Sequence, residues 1–167
     1  MYMKNLFKTI FLFSLMFCLA SCEDDFHSGS GSHSGGSGMD VTPANINGTW
    51  QLSEWNGAPL AEGTYCYVVF SRRERTFEIY QKFDSMYARY ITGTYSIEDD
   101  PYKGYVISGV YDYDNGDWNN DYVVTDLLES GSMVWTAVGD ETDVCKYVRV
   151  DAVPDEIEEE ARKEQGD

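Results

Sequence analysis

The sequence predicts an all-β domain, built as a barrel or a sandwich, and both its composition and its pattern of short runs support this. Aromatic residues make up 15% of the 167-residue chain, with 13 tyrosines, 4 tryptophans and 8 phenylalanines. Aromatic and β-branched side chains favour strands. From Gly48 to Val150, runs of such residues alternate with short turn signals. This regular spacing is typical of all-β folds.

Eight runs have the length and composition of strands. The predicted strands are Gly48 to Trp55, Tyr65 to Ser71, Thr76 to Phe83, Tyr87 to Ile97, Gly104 to Tyr113, Trp118 to Leu128, Met133 to Val138, and Val144 to Val150. The connections between them are too short for parallel crossovers, so neighbouring strands are expected to be antiparallel.

One predicted hairpin can be given a register. The Asn-Gly pair at 115–116 is preferred in two-residue type I′ turns, because both central positions need a positive φ. Such a turn places Ile107 opposite Val124 and Gly109 opposite Tyr122. The tyrosine ring would then cover the space above the glycine.

The first 22 residues have the features of an export signal. Lys4 and Lys8 supply a positive start, and the apolar segment from Leu6 to Leu19 is too short to span a membrane comfortably. The following Leu19-Ala20-Ser21-Cys22 resembles the lipobox of bacterial lipoproteins. The resemblance implies that residues 1–21 are removed and that the acylated Cys22 anchors the chain in a lipid bilayer. An ordinary secretory signal with an accidental cysteine is the alternative.

Residues 22–45 are predicted to form an acidic and then Gly/Ser-rich tether, which buries little and behaves as a flexible coil. His27 and His33 lie in it without a third ligand, so we expect spacers and no metal site. The acidic triplet Glu23-Asp24-Asp25 resembles a surface-export signal of some Gram-negative lipoproteins. In other lineages, acidic residues there affect sorting between inner and outer membranes. We therefore expect a lipid-anchored protein of the bacterial cell envelope, at the outer membrane, with display on the cell surface as a further alternative.

Residues 153–167 are predicted to form an acidic C-terminal helix or tail. Pro154 and the early acidic residues, followed by Arg162 and Lys163, suit a helix and its dipole. An apolar stripe spaced by four residues would dock such a helix. Its members are Val153, Ile157 and Ala161. A mostly solvated acidic tail is the alternative.

The first predicted strand reads Asn47-Gly48-Thr49-Trp50, and this Gly-x-Trp resembles the signature of the lipocalins. In that family the tryptophan closes the bottom of an eight-stranded barrel, and an arginine from the last strand region packs across its ring. Arg149 occupies the comparable place here. A guanidinium over an indole face is favourable, and first and last strands are neighbours in a closed barrel.

Further phrases strengthen the resemblance to short lipocalin-like domains of exported bacterial lipoproteins. They are Phe77-Glu78-Ile79-Tyr80, Gly93-Thr94-Tyr95 and Tyr147-x-Arg149. The resemblance covers roughly Ile46 to Val150. It implies an all-β fold, an eight-stranded antiparallel up-and-down barrel over residues 46–152, closed by Gly48, Trp50 and Arg149. The long first loop of typical lipocalins has no evident counterpart.

An eight-stranded barrel has room for core side chains or for one small ligand. Strand alternation groups side chains by face but does not show which face points inward. The set favoured as inward-facing, which would line a cavity or fill the core, is Phe77, Ile79, Tyr95, Ile107, Tyr111, Val124 and Trp135. Two functions follow. One is a binder of a small apolar or aromatic molecule; the other is a display module with a solid barrel that contacts a partner protein or glycan of the envelope.

Other features limit the chemistry. Cys66 and Cys145 form either a disulfide or two separate buried thiols. Both histidines of the chain lie in the predicted tether, so a His-dependent nucleophile is excluded in the barrel. No phosphate-binding loop or zinc-type cysteine cluster is present in the sequence, so no catalytic residue and no cofactor is predicted. The net charge of −17 excludes nucleic acid as a partner.

Overall fold

Among the described residues, the alternating aromatic and β-branched runs form eight strands that close as an antiparallel barrel, and a ninth, two-residue strand pairs with the first of them. The computed structural model describes residues 38–83, 85–113 and 116–164. The strands are β1 (Gly48–Trp55), β2 (Ala58–Pro59), β3 (Tyr65–Ser71), β4 (Thr76–Lys82), β5 (Arg89–Asp100), β6 (Gly104–Tyr111), β7 (Tyr122–Leu128), β8 (Ser132–Ala137) and β9 (Asp140–Val150). The helices are α1 (Pro43–Ile46) and α2 (Asp155–Glu164). Neither of these helices is long and apolar enough to cross a membrane.

The barrel is an up-and-down ring. From β3 onward each strand pairs antiparallel with its neighbours in sequence order, and pairing of β1 with both β3 and β9 closes the ring. The two-residue β2 is an extra strand that pairs only with the end of β1. The predicted eight-stranded antiparallel barrel with a C-terminal helix is therefore confirmed.

The predicted register of the β6–β7 hairpin is wrong by two residues. Ile107 lies opposite Tyr122, where the type I′ turn placed Val124. Nearer the turn, Val110 forms an isolated bridge with Asp117. The pairing shifts between these points, because the irregular residues 118–121 add length to one side of the hairpin. The turn residues 114–115 themselves lie outside the described residues.

The segment just before β1 packs against the barrel, although its sequence predicts part of the tether. The N–H of Met39 donates to the carbonyl of Leu127 at 2.7 Å, and Val41 is buried in the interior core. Thr42 then caps α1 by accepting a hydrogen bond from the N–H of Asn45. Residues 39–46 pack on the barrel because they include apolar side chains, and burial of these side chains at the end of the barrel is favourable. Residues 1–37, with the predicted signal, Cys22 and most of the tether, lie outside the described residues.

The described part of the chain has two apolar cores. The larger one fills the barrel interior. The smaller one lies outside the barrel, between α2 and the outer face of β3 to β5. The predicted stripe supplies the helix side of this outer core, with Val153 and Ala161 buried and Ile157 packed against them. The strand side is mostly tyrosine: Tyr65, Tyr67, Tyr80 and Tyr90.

Candidate functional site

One end of the barrel is closed by a tryptophan and an arginine from the first and last strands. Trp50 is fully buried, and its Nε1 donates to the carbonyl of Ile46 at 2.7 Å. Arg149 lies directly opposite it in the β1–β9 pair, with its guanidinium carbon 4.2 Å from the centre of the indole. The same guanidinium donates to the carbonyl oxygens of Asn45, at 2.6 Å, and of Asn47. The chain before β1 is thereby tied to the last strand.

Gly48 is required at this end for two reasons. Its φ is +111°, a conformation that side-chain-bearing residues rarely adopt. A Cβ at this position would also lie 2.9 Å from Nη1 of Arg149. The three residues that the resemblance assigns to barrel closure thus lie together, and the Gly-x-Trp spacing has a steric origin.

The half of the barrel nearest this closed end is filled with side chains. Phe70, Phe77, Ile107, Leu127 and Met133 are fully buried there, together with Trp50. Four of the seven side chains predicted to face inward belong to this packed part of the interior: Phe77, Tyr95, Ile107 and Val124. They fill the core and do not line the open space above it.

Toward the opposite end the interior opens into a cavity of about 210 Å³. Ile79, Tyr111 and Trp135 line it, and these are the other three side chains predicted to face inward. Ten further residues complete the lining: Leu52, Cys66, Val68, Gln81, Phe83, Trp118, Asn119, Tyr122, Cys145 and Tyr147. The interior is therefore solid at the closed end and hollow toward the mouth.

Trp135 lies at the centre of an aromatic cluster in the cavity wall. Its ring centre is 4.8 Å from that of Tyr147, 5.5 Å from that of Tyr122 and 5.8 Å from that of Trp118. On its deeper side it contacts Phe70, with ring centres 6.0 Å apart. These distances are in the favourable range for aromatic pairs, so this part of the wall is a contiguous set of packed aromatic rings.

The cavity lining is uncharged at neutral pH. None of the lining residues is Asp, Glu, Lys, Arg or His. Burial raises the pKa of Tyr122 to about 12 and that of Tyr147 well above its usual value. Burial, with a smaller contribution from the Asp143 carboxylate, raises the pKa of the Cys145 thiol to about 12. These groups remain protonated, and the polar atoms facing the cavity are neutral hydroxyl, thiol and amide groups.

The indole of Trp118 covers the backbone of Gly109, where the predicted register places the ring of Tyr122. A Cβ on Gly109 would lie 2.1 Å from Cε2 of Trp118, so the indole rests directly on the glycine backbone. The indole Nε1 is buried without a hydrogen-bond partner among the described residues. Trp118 takes the place predicted for Tyr122 because the register of the β6–β7 hairpin is shifted. Trp118 and Asn119 were missed as lining residues because they lie in the irregular part of that hairpin.

Other lining residues carried a signal in the sequence. Leu52 and Tyr147 are each two positions from the closing pair of Trp50 and Arg149, and strand alternation places them on the same face. Tyr122 stands in the same relation to Val124. The periodicity that selected the seven predicted side chains therefore extends to these three.

The structure corrects one alternative for the cysteines: Cys66 and Cys145 are not joined by a disulfide. They belong to β3 and β9, and β1 lies between these strands in the ring. Two strand spacings amount to about 9.6 Å, beyond the Cα separation that a disulfide allows. Both thiols instead line the cavity.

A second recess, of about 370 Å³, lies on the outer face of β5 and β6. Ser96, Ser108, Asp117 and Asp121 contribute to its lining, and alternation directs the side chains of β5 and β6 here away from the interior. It is larger than the interior cavity, but it lies on the outer surface and its lining includes the carboxylates of Asp117 and Asp121. The interior cavity is the better candidate site, because ligand pockets are concave and mostly apolar with a few polar groups.

The geometry defines the class of protein: an up-and-down β-barrel closed at one end and hollow toward the other, a form with room for core side chains or for one small ligand. Comparison with protein-family models agrees, since residues 46–135 match the lipocalin-like domain. The match spans more than half of the chain, and the chain belongs to the lipocalin-like domain family. Searches of curated proteins and of solved structures returned no match.

Proposed function

We propose that this protein is a lipid-anchored lipoprotein of the bacterial cell envelope whose barrel binds one small apolar or aromatic molecule. It acts by binding and not by catalysis, and Cys22 holds it at the outer membrane. The Leu19-Ala20-Ser21-Cys22 sequence supports the anchor. Membership of the lipocalin-like family supports the binding of small apolar ligands.

The observation that carries the binding proposal is the cavity of about 210 Å³ beneath the barrel mouth. A barrel of this strand number is wide enough to be filled by side chains, as it is around Phe70 and Met133. The upper half keeps its space although Trp118, Trp135 and Tyr147 surround it. Aromatic walls with a few neutral polar groups are the usual lining of a small-molecule site.

Binding of an environment-sensitive apolar dye tests this proposal. The folded protein should bind one dye per chain. Filling the cavity by Cys145→Phe should abolish binding, because Cys145 lines the cavity and lies directly opposite Trp135 in the sheet. Trp135→Glu should also abolish binding. Because Trp135 packs against four rings, the melting temperature of this variant must be measured to show that it is folded.

Val148→Phe is the matched control for Cys145→Phe. Val148 lies on the same strand, and alternation from the buried Tyr147 places it on the outer face. The control should bind dye as the wild type does. If folded wild-type protein binds no dye, and carries no small molecule when isolated from its host, the proposal is wrong.

A second function has its own support in the structure. Four large side chains next to the mouth are exposed: Trp55, Met86, Tyr87 and Tyr113. Exposed aromatic groups around one end of a rigid barrel suit contact with a partner protein or glycan. If the dye does not bind, changing Tyr87 and Tyr113 to serine should reduce capture of such a partner from envelope extracts.

A further inference from the structure

The volume of the cavity limits the size of its ligand. A closed apolar cavity of about 150 Å³ holds benzene. The cavity here, at about 210 Å³, therefore suits a molecule of one or two fused rings. A long acyl chain has several times the volume of benzene, and the packed side chains of Phe70 and Met133 leave it no deeper path into the barrel.

The shape of the walls favours a flat ligand. Trp118, Tyr122, Trp135 and Tyr147 contribute rings from three different parts of the barrel wall, and their centres lie 4.8 to 6.3 Å from one another in the contacting pairs. Neighbouring rings in this cluster are tilted by 32° to 67°. A planar guest can stack on one of these rings while it meets the edge of the next, an arrangement that aromatic groups prefer.

The charge of the site disfavours ionised ligands. No lining residue is charged, and transfer of an unpaired ion from water into such a site is costly. The net charge of −17 adds a long-range repulsion for anions. The polar groups available are neutral, among them the amides of Gln81 and Asn119 and the hydroxyls of the tyrosines, and these can hydrogen-bond one uncharged polar atom of a guest.

We propose that the cavity selects uncharged planar molecules of one or two rings and rejects fatty acids and other ionised ligands. This inference rests on the proposed binding function and specifies its ligand class. Selection arises from the combination of a short cavity, tilted aromatic walls and a lining of neutral groups.

Calorimetric titration of the Cys22→Ala chain, which lacks the anchoring cysteine, tests the selection. Four probes are compared: indole, indole-3-acetate, tryptamine and laurate. Indole is uncharged, the next two attach a negative or a positive group to the same ring, and laurate is an ionised acyl chain. Indole should bind with one-to-one stoichiometry and at least tenfold more tightly than each of the others.

Charge substitution at Gln81 tests the electrostatic part. Gln81 lines the cavity from β4 and is half-buried, so a long side chain is accommodated there. Gln81→Lys should shift the ratio of indole-3-acetate to indole affinity by at least tenfold toward the anion. Gln81→Met, similar in size and uncharged, should keep the preference for indole. If Gln81→Lys does not fold, the wild-type probe series alone decides.

The outcomes separate this inference from the proposed function. Equal or tighter binding of laurate, indole-3-acetate or tryptamine by the wild type overturns the selectivity and leaves the binding function standing. If the protein binds the dye but not indole, the selectivity is likewise overturned and the binding function stands. An unchanged probe ratio in folded Gln81→Lys also overturns the selectivity. Absence of binding by the dye and by all four probes defeats the proposed function itself.

Discussion

At the scale of single residues, the contact between Trp50 and Arg149 joins the two ends of the barrel sequence. The indole is fully buried, and the guanidinium both covers its face and donates to two carbonyl groups before β1. The arginine therefore satisfies backbone acceptors at the same time as it seals the core. Loss of either side chain removes packing as well as polar contacts.

A double-mutant cycle should measure this coupling. Trp50→Ala should lower the free energy of unfolding by about 3–5 kcal/mol, because a large buried ring is lost. Arg149→Ala should cost less, and the two effects should couple by about 0.5–2 kcal/mol, the range of a cation–π contact. Denaturant unfolding gives all four values. Strictly additive effects would show that the contact does not contribute to closure.

Gly109 illustrates how one missing side chain determines the position of another. Because this position has no Cβ, the indole of Trp118 lies on the backbone and reaches the cavity wall. Its N–H has no partner among the described residues, which costs stability. The ring is therefore held by packing against neighbours such as Phe77, whose ring centre is 5.1 Å away.

At the scale of elements, α2 is attached to the outer wall by an apolar stripe with polar contacts on both sides. Glu160 accepts hydrogen bonds from Tyr65 at 2.9 Å and from Lys82 at 2.6 Å. Arg162 donates to the hydroxyl of Tyr80 at 2.6 Å and lies 4.3 Å from the ring centre of Tyr90. These contacts explain why a helix with few apolar residues remains docked.

The Glu160 contacts predict a pH dependence. Hydrogen bonds from Lys82 and then from Tyr65 lower the pKa of the Glu160 carboxyl below its ordinary value. A depressed folded-state pKa stabilises the fold above the unfolded-state pKa, and this contribution is lost as the pH falls through the folded-state value. Wild type should thus have a higher melting temperature than Glu160→Gln at neutral pH, and the difference should disappear in the acid range.

Hydrogen exchange of the α2 backbone amides shows where Glu160→Gln loses stability. Glu160→Gln should speed exchange in α2 at neutral pH and leave the exchange of β7 and β8 unchanged, since those strands are remote from the outer core. Glu159→Gln is the control, because the Glu159 carboxylate pairs with Lys163 at 3.3 Å on the exposed side of the same helix. Equal melting temperatures for wild type and Glu160→Gln across the pH range would contradict the proposed anchoring.

At the scale of the whole molecule, the barrel has two different ends. The closed end is sealed by the segment before β1, and the other end holds the cavity and the exposed aromatic rim. A net charge of −17 favours solubility and repels anionic surfaces. The proposed attachment to a membrane therefore relies on acylated Cys22 and not on the protein surface.

The anchor prediction concerns the entire chain. Cys22→Ala should move the protein from the membrane fraction to the soluble fraction, because the proposed acylation site is lost. Fractionation and mass spectrometry of the purified protein measure location and acylation together. Ser21→Ala, a small-residue exchange beside the cysteine, should remain anchored. A Cys22→Ala protein that still carries acyl chains in the membrane would refute the assignment.

Local patterns in the sequence predicted the all-β class, and the resemblance to lipocalins predicted how the barrel closes. Period-two alternation and short turns specify antiparallel neighbours, because both are local properties of the chain. Gly48 and Trp50 could be linked to Arg149 because a recurrent sequence pattern marks that contact. The helix near the C-terminus was also predictable, since its dipole-matched charges and its apolar stripe are local in sequence.

The position of the cavity along the barrel depends on long-range packing and could not be predicted from the sequence. Alternation tells which side chains share a face but not which face points inward. Phe77 and Trp135 both face the interior, and of these two only Trp135 reaches the cavity. The height of each aromatic side chain along the barrel axis depends on the stagger of the strands and on β-bulges. The irregular residues 118–121 changed the hairpin register and brought Trp118 over Gly109. The separation of Cys66 from Cys145 likewise depends on an intervening strand, because pairing around a closed barrel is a long-range property that no local pattern encodes.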